Sequence, residues 1–275
     1  MRGNKPSLRI KANITIATLN LNGYMAPSCN MTGIDKWSAI NRTINKYHIA
    51  ILALQETHLD LTRLQDVTSC FEKRLEIIIS QHPDNPRTTA GIAFVINKAL
   101  INPKEYQMYE LQPGLAAALK IRWLEDEELT QLNVYAPNVR EEKAAFWETI
   151  DIRRRALNLR CPEFMLGDFN VTEDKIDCAP AHDDDRNTTD ALRNLCHTWN
   201  LQDSWRHSFP TERSFTYRAN SNSGKIQSCL DRIYTTSTIN DQIAEWKTVI
   251  SAVPTNHSLV LAKYSPKNAP HVGKG

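Results

Sequence analysis

The chain has 275 residues, of which 41% are hydrophobic and 23% are charged, and this composition excludes a disordered or fibrous protein. Its length suits one large α/β domain. The formal net charge of +2 gives no overall basic character, so any nucleic-acid surface has to be local.

Strands and helices alternate along the chain. Apolar residues alternate over 13–21, which predicts a strand, and recur at helical spacing over 34–47 and 140–158, which predicts two helices. A third helix is predicted over 186–199, and we interpret the acidic run 183–185 before it as a solvated helix N-terminus, not as a metal site. The other predicted strands cover 48–54, 74–80, 90–97, 115–123, 129–135, 164–166, 213–218, 228–234, 245–251 and 258–264.

Strands dominate this pattern, and no internal segment has the composition of a linker. The pattern predicts the fold class α/β, as a four-layer α/β sandwich in which two packed, mostly antiparallel sheets are flanked by helices. We place the domain at residues 12–264, with an N-terminal extension at 1–11. Residues 265–275 are rich in proline, lysine and glycine and are interpreted as a C-terminal tail or the start of a linker.

The six cysteines show no C-x-x-C pair and no regular spacing, which argues against a zinc site and against a disulfide framework. No apolar run approaches the length of a membrane span, and the first ten residues lack the apolar core of a signal peptide. We therefore expect a soluble, intracellular protein that is not secreted and has no membrane partner.

Polar residues stand at the ends of several predicted buried strands, where an unpaired carboxylate or amide would be costly. Repeated along the chain, they are expected to form one polar site at the rim of a sheet sandwich. Each position alone also has a structural explanation: Glu56 could be a turn residue, and Asn170 could form an Asx turn. The positions are Asn20, Asn22, Glu56, Tyr135, Asp168, Asn170, Asp231 and His257.

These residue types supply the groups that phosphodiester hydrolysis needs. Glu56 and the amide oxygen of Asn20 offer hard oxygen ligands suited to Mg²⁺, with Mn²⁺ as a possible substitute. Asp168 could orient or deprotonate an attacking water. His257, paired with Asp231, could stabilise charge on the phosphate as an imidazolium or act as an acid or base.

Two further residues could add hydrogen bonds to the same reaction. Asn170 could donate one from its amide to the phosphate, and Tyr135 could donate one from its phenol at the flank of the site.

Six segments in a fixed order carry a family resemblance: TLNLNGY, ALQETHL, NVYAPN, MLGDFN, LDRIY and TNHSLV. As an ordered set they resemble the exonuclease–endonuclease–phosphatase superfamily. The segments QETHL, VYAPN and GDFNV resemble the apurinic-like endonuclease domains of LINE (non-LTR) retrotransposons. The DDDRNTTDALR and SFTYRA segments are similar to fungal elements of this kind.

The resemblance implies roles for particular residues. Asn20 and Glu56 would bind the divalent metal, and Thr216 would lie near the scissile phosphate. The stretch Arg218–Ser228 would be a hairpin loop that probes the DNA groove. The residues implied in catalysis are Tyr135, Asp168, Asn170, Asp231 and His257. The further residues implied in substrate binding are Asn22, Arg218 and Lys225.

Position 256 departs from the family pattern. Family members carry an Asp-His pair, whereas this chain carries Asn256-His257. The aspartate would add a carboxylate to the metal site; asparagine keeps the size and one oxygen acceptor but removes the charge. Weaker metal binding and a slower reaction are expected, whether Asn256 is an engineered change, a natural lesion or a tolerated variant.

The resemblance implies a magnesium-dependent endonuclease that nicks double-stranded DNA and leaves a 3′ hydroxyl for target-primed reverse transcription. Such a domain would act in the nucleus, joined to a reverse transcriptase domain in the same polyprotein. Two alternatives stay open. An abasic-site repair endonuclease or a phosphatase would use the same fold, and Asn256 could leave a DNA-binding domain with impaired catalysis.

Overall fold

The structure is a computed structural model, and it describes residues 10–25, 35–102, 106–124, 127–221, 224–267, 269 and 271–272. Its helices are α1 (Lys36–Tyr47), α2 (Leu61–Phe71), α3 (Arg140–Ala156), α4 (Arg186–Trp199), α5 (Ser204–Ser208) and α6 (Ser237–Asn240). Its strands are β1 (Ile10–Lys11), β2 (Ile14–Asn20), β3 (Ile49–Gln55), β4 (Leu75–Ser80), β5 (Ile92–Asn97), β6 (Tyr106–Gln112), β7 (Ala116–Leu124), β8 (Glu127–Tyr135), β9 (Phe164–Asp168), β10 (Cys178–Ala179), β11 (Leu201–Asp203), β12 (Tyr217–Ser221), β13 (Gly224–Ser228), β14 (Asp231–Thr236), β15 (Ile243–Ile250), β16 (Ser258–Tyr264) and β17 (His271–Val272).

Two six-stranded sheets form the centre of the fold. The first has the strand order β15-β16-β2-β3-β5-β4, and the second has the order β11-β14-β9-β8-β7-β6. In each sheet the central pair is parallel, β2 with β3 and β8 with β9, and the other pairs are antiparallel. The prediction of two mostly antiparallel sheets is therefore confirmed.

The two parallel pairs determine where the site lies. A parallel pair needs a crossover connection, and here α1 connects β2 to β3 and α3 connects β8 to β9. Both strands of a parallel pair then end at the same rim of their sheet. A hydrogen bond between Asn20, the end of β2, and Asp168, the end of β9, shows that the two rims meet. Four strand ends from two sheets thus converge on one edge of the sandwich.

Apolar side chains fill three interfaces between four layers. Residues such as Ile51 and Phe164 are buried between the two sheets. The helices α1 and α2 cover the outer face of the first sheet, where Trp37 is buried. The helices α3 and α4 cover the second sheet around Trp147 and Trp199. The predicted four-layer α/β sandwich is confirmed.

A buried polar bridge joins the two sheets close to the site. Nε2 of Gln55 in the first sheet donates to Oδ1 of Asn133 in the second at 2.7 Å. Nδ2 of Asn133 donates to the carbonyls of Leu54 and Ala93 at 3.1 and 3.0 Å. Gln55 and Asn133 are fully buried. Because each bond needs one particular distance and direction, the bridge fixes how the sheets lie against each other.

Some local predictions were wrong. Residues 213–216 are not in a strand, and most of the loop predicted after them forms the antiparallel hairpin β12–β13, whose residues 222–223 lie outside the described part. Helix α2 and strand β6 were not predicted. Only Val67 of α2 is buried, and β6 is a half-exposed edge strand, so neither carries a strong apolar period.

Of the predicted segment 1–11 only residues 10–11 are described, and of the predicted segment 265–275 residues 265–267, 269 and 271–272 are described. The described parts of both form a short antiparallel pair, β1 with β17. The placement of the domain at residues 12–264 stays a prediction. None of the helices in the described part is long and apolar enough to cross a membrane.

Candidate functional site

Asn20 lies fully buried between two carboxylates. Its Nδ2 donates to Oε1 of Glu56 at 2.9 Å and to Oδ2 of Asp168 at 2.8 Å. Its Oδ1 accepts the backbone N–H of Asn22 at 2.8 Å. A backbone N–H only donates, so this bond fixes which end of the amide is oxygen. The amide oxygen faces the Asn22 N–H and keeps one lone pair, so metal binding by Asn20 stays a prediction. In this arrangement the Asn20 amide nitrogen holds Glu56 and Asp168 together.

Tyr135 is the last residue of β8 in the second sheet. It lies beside Glu56 and is almost completely buried. Burial raises the pKa of Tyr135 well above its ordinary value, and the carboxylates of Glu56 and Asp168 raise it further. Nδ2 of Asn138 donates to the phenolic oxygen at 3.0 Å. Tyr135 therefore stays protonated and serves as a hydrogen-bond donor beside Glu56.

His257 and Asp231 form a buried pair. Nδ1 of His257 lies 2.9 Å from Oδ2 of Asp231, and Nε2 lies 4.0 Å from Oδ2 of Asp168. Burial alone would lower the pKa of His257, but the charge and hydrogen bond of Asp231, with the charge of Asp168, raise it to about 9. The imidazole is thus a charged donor at neutral pH, directed at Asp168.

The pKa of Asp168 is raised as well, but for a carboxyl group this shift favours the neutral form. Burial, reinforced by the charge of Asp231, raises the pKa of Asp168 to about 7, although His257 and Asn20 oppose the shift. Its Oδ1 also accepts the backbone N–H of Asn170 at 3.0 Å. A carboxylate with a pKa near neutrality can take a proton from water in the transition state. The position suits a general base.

The donor set fits a divalent metal. Ligand atoms of Asp168, Asp231 and His257 lie within 4.8 Å of one another, and Glu56 adds a third carboxylate through Asn20. Among the described residues, the buried Oδ1 of Asp231 has no hydrogen-bond partner. Three carboxylates face the single imidazolium of His257, so an excess of carboxylate oxygens remains, which is the environment that hard cations prefer.

Thr216 holds the backbone that leads into Asp231. Its side chain is buried, and Oγ1 accepts the N–H groups of Leu230 at 3.0 Å and Asp231 at 2.9 Å. Both lone pairs are used, so only the hydroxyl hydrogen is left to donate. The expected contact of Thr216 with a scissile phosphate stays a prediction.

Asn256 and Asn22 lie at the open side of the site. Nδ2 of Asn22 donates to Oδ1 of Asn256 at 3.1 Å, and the backbone N–H of Arg218 donates to the Asn256 carbonyl at 3.1 Å. The side-chain oxygen that Asn256 could offer to a metal is therefore already bonded to Asn22. Metal binding by Asn256 stays a prediction.

Both the side chain and the backbone carbonyl of Asn170 make hydrogen bonds. Its Nδ2 donates to the Ala136 carbonyl at 2.7 Å, and its own carbonyl accepts from Nζ of Lys143. The expected hydrogen bond from Asn170 to a phosphate would use the second N–H of the amide. This role also stays a prediction.

The hairpin β12–β13 stands where a hairpin loop was predicted, and its base touches His257. The rings of Tyr217 and His257 lie 5.0 Å apart at 54°, and Nη1 of Arg218 donates to Oγ of Ser258 at 2.8 Å. Lys225, near the tip, is exposed. The phosphate contacts of Arg218 and Lys225 stay predictions.

Neither the acidic run nor the cysteines form a second metal site within the described ranges. Asp185 caps α4, Asp184 accepts from the backbone of Thr172 at 2.9 Å, and Asp183 pairs with Lys175 at 3.0 Å. Three neighbouring acids with three different partners confirm the helix N-terminus interpretation. Cys29 lies outside the described residues, and the other five cysteines are not joined in disulfides.

Sequence reasoning missed three residues of the site: Lys36, Asn138 and Lys143. Lys36 stands in the first turn of α1, where a cation opposes the helix macrodipole, so its position was an available signal. Asn138 lies within the NVYAPN motif and could have been included with Tyr135. Lys143 is one of many charged residues on α3, and nothing in the sequence distinguishes it.

Comparison with known proteins gives one family and a set of similar structures. A model of the Endonuclease/Exonuclease/phosphatase family matches residues 17–245. Over 178 residues the chain is 27% identical to the Transposon TX1 uncharacterized 149 kDa protein of Xenopus laevis, and the match covers 65% of this chain and 13% of that protein. The chain therefore spans only a small part of this relative.

Solved structures share the fold. The endonuclease domain of TRAS1, a telomere-specific non-LTR retrotransposon, has a TM-score of 0.65 at 15% identity, covering 93% of this chain and 100% of that chain. An AP endonuclease from Archaeoglobus fulgidus has a TM-score of 0.72 at 16% identity, covering 91% and 99%. The AP endonuclease LMAP from Leishmania major has a TM-score of 0.71 at 13% identity, covering 92% and 88%. The predicted fungal origin is not tested by these matches.

Proposed function

Because the chain belongs to the Endonuclease/Exonuclease/phosphatase family, we propose that it is the endonuclease domain of a non-LTR retrotransposon. It hydrolyses a phosphodiester of double-stranded DNA with Mg²⁺ and leaves a 3′ hydroxyl for target-primed reverse transcription. The buried pair His257–Asp231, directed at Asp168 beside Glu56, carries the proposal. The likenesses to a transposon protein and to the TRAS1 endonuclease domain support the retrotransposon context.

The chemistry follows from the roles of these side chains. A bound divalent ion would polarise the phosphate and stabilise the leaving oxygen, and Glu56 with the neighbouring carboxylates would hold it. Asp168 accepts the proton of the attacking water. His257, kept charged and oriented by Asp231, donates to the phosphate oxygen on which negative charge develops. Tyr135 holds Glu56 from the flank and stays protonated.

The parent protein extends beyond this domain. The match to the transposon protein covers 13% of that protein, which supports a larger polyprotein. We propose that a reverse transcriptase domain belongs to the same polyprotein, and that the enzyme acts in the nucleus, where its target DNA lies.

An abasic-site endonuclease is the second candidate, because AP endonucleases share the fold at TM-scores of 0.71 and 0.72. Two assays distinguish an abasic-site endonuclease from a retrotransposon endonuclease. One measures nicking of an intact supercoiled plasmid, and the other measures cleavage of an oligonucleotide that carries one abasic site. We expect nicking of intact DNA without preference for the abasic site. A strong preference for the abasic oligonucleotide would contradict the retrotransposon proposal.

Restoring the carboxylate at position 256 is expected to strengthen metal binding. Asn256→Asp should lower the half-saturating Mg²⁺ concentration for nicking by about 10-fold, because the ligand regains its charge. The measurement is the nicking rate as a function of Mg²⁺ concentration. Asn194→Asp makes the same chemical change on the exposed face of α4 and should have no effect. Equal Mg²⁺ dependence in all three proteins would remove position 256 from the metal site.

The same variant tests the alternative of a DNA-binding domain with impaired catalysis. If both the natural chain and Asn256→Asp bind DNA but nick none of it, the catalytic proposal is wrong. Binding of DNA should weaken as salt rises, because phosphate contacts dominate such affinities.

Nicking is expected to depend on pH through two groups. The Asp168 carboxyl, with its pKa raised to about 7, is an active base only when deprotonated, so the rate should rise through this value. The His257 imidazolium is lost above its pKa of about 9, so the rate should fall there. Asp231→Asn removes the charge that raises the His257 pKa, so the falling limb should move to lower pH. A falling limb that stays in place would contradict this assignment.

A further inference from the structure

Lys36, the first residue of α1, is buried, and its ammonium faces the backbone that follows β2. Nζ donates to three consecutive carbonyls, those of Leu21 at 2.5 Å, Asn22 at 3.1 Å and Gly23 at 2.8 Å. An ammonium has three donors and no acceptor, so all its hydrogen-bonding capacity is used on this short loop. Lysine is almost never fully buried without such partners.

The N–H groups of Asn22 and Gly23 and the Asn22 side chain bind residues of the candidate site. The backbone N–H of Asn22 fixes the amide of Asn20, and Nδ2 of Asn22 bonds to Asn256. The N–H of Gly23 donates to the Glu56 carbonyl at 2.9 Å. The carbonyls of the loop therefore converge on Lys36, while its N–H groups and the Asn22 side chain hold three residues of the site.

Lys36 supplies a cation at the point where three carbonyls of this loop converge. Asn22 has φ 49° and Gly23 has φ 89°, both in the left-handed region, and for Asn22 this region is disfavoured by sterics. Three carbonyl dipoles that point to one place repel each other. Without Lys36, its three hydrogen bonds to these carbonyls would be lost, two of them buried and one partly buried.

The stability of α1 does not explain a lysine at this position. Asp35 already caps the helix by accepting the backbone N–H of Ser38 at 2.6 Å. A cation in the first turn opposes the helix macrodipole. Burial lowers the pKa of Lys36, and the nearby Glu56 carboxylate opposes that shift. Lys36 therefore serves the loop and the site, at a cost to the helix.

We infer that Lys36 is a positioning residue, which binds the three carbonyls of residues 21–23 and thereby holds Asn20, Glu56 and Asn256 in the arrangement that receives the metal. Lys36 touches neither the substrate nor the reacting atoms in this role. The inference rests on the proposed function, because the arrangement matters only for a metal-dependent nuclease.

The first test uses the metal-free protein. Hydrogen exchange of the Asn22 and Gly23 amides is compared in the natural chain, in Lys36→Met and in Lys46→Met, which removes an exposed lysine from the last turn of the same helix. We expect exchange about 10-fold faster in Lys36→Met, the effect of losing roughly 1.4 kcal/mol of local stability. Lys46→Met should match the natural chain. Unchanged exchange in Lys36→Met overturns the inference.

The second test is chemical rescue. In Lys36→Ala the missing part of the side chain corresponds to n-propylammonium, so this ion can occupy the vacated position. The half-saturating Mg²⁺ concentration for nicking should rise about 10- to 100-fold in Lys36→Ala. It should return toward the natural value with n-propylammonium, but not with tetramethylammonium at equal ionic strength, which has no N–H donor.

The outcomes separate the two proposals. If the natural chain and Asn256→Asp both fail to nick DNA, the proposed function fails, whatever the exchange data show. If the natural chain nicks DNA and Lys36→Ala needs no more Mg²⁺, the inference about Lys36 fails. Should Lys36→Ala not fold, Lys36→Arg replaces it. No single nitrogen of a planar guanidinium carries three N–H donors for three converging carbonyls, so a raised Mg²⁺ requirement is again expected, and its absence overturns the inference.

Discussion

Replacing His257 by alanine is expected to reduce the nicking rate by about 10³-fold while leaving the affinity for double-stranded DNA nearly unchanged. The imidazolium is buried, oriented by Asp231 and directed at Asp168, so its loss removes the charged donor that the proposed mechanism uses. Single-turnover nicking of a supercoiled plasmid measures the rate, and fluorescence anisotropy with a labelled duplex measures binding. Both are done in the Asn256→Asp background as well, where metal binding should be stronger.

The matched control is His197→Ala, which removes an exposed histidine from α4 and should leave the rate unchanged. Asp231→Asn should lower the rate by a smaller factor. Adding it to His257→Ala should cost little more, because the two residues act as one unit. A His257→Ala protein that retains a tenth of the natural rate would contradict the mechanism.

Arg232→Met is expected to destabilise the protein by about 3–5 kcal/mol. The guanidinium is almost completely buried and donates to Asp177 at 2.8 Å and to Asp203 at 2.5 Å. Asp177 also pairs with Arg206 at 2.5 Å. Methionine keeps much of the volume but leaves one buried and one mostly buried carboxylate short of a partner. Urea unfolding of both proteins gives the free energies to compare.

The pH dependence of that loss distinguishes charge from packing. Burial by itself would raise the pKa of Asp177, but Arg232 and Arg206 hold it below its ordinary value. The stabilisation from this depressed pKa is present above the ordinary aspartate value and is lost as pH falls. The difference between the natural chain and Arg232→Met should therefore shrink in acid. A constant difference would show that packing dominates.

An exposed ion pair gives the control for this variant. Lys247 pairs with Glu245 at 2.6 Å on the surface of β15, and Lys247→Met should leave the free energy of unfolding almost unchanged. If Arg232→Met is as stable as Lys247→Met, the buried cluster contributes nothing to folding.

Much of the fold could be predicted because its strongest signals are local. The run IAILALQ is apolar on both faces, as expected for a central strand, and β3 spans it from Ile49 to Gln55. Trp37, Ile40 and Ile44 lie at helical spacing, and all three are buried against the first sheet. Glu56, Tyr135 and Asp168 could be assigned to one rim because each ends or follows such a strand.

The remaining features depend on contacts between residues far apart in the chain. Asn20 lies 148 residues from Asp168, and the orientation of its amide is decided by the Asn22 backbone. Thr216 is positioned by backbone hydrogen bonds with Ser228 and Ser258. Its hydroxyl accepts the backbone N–H groups of Leu230 and Asp231. Neither arrangement leaves a periodic pattern in the sequence. The sequence could therefore indicate that Asn20 and Thr216 belong to the candidate site, but not which hydrogen bonds each of them makes.

The bridge between Gln55 and Asn133 sets a limit on how this protein can be engineered for heat resistance. Replacing both partners of a buried hydrogen bond by aliphatic residues of the same shape can stabilise a protein, because it removes groups that must be desolvated. Aliphatic contacts have no preferred direction, however, and two smooth sheets can settle a fraction of an ångström away from their natural alignment. Glu56 and His257 would move with the first sheet, and Tyr135, Asp168 and Asp231 with the second. Selection for thermal stability alone should therefore yield stable proteins whose reacting side chains are misaligned. Only a screen that also demands turnover should retain the two amides.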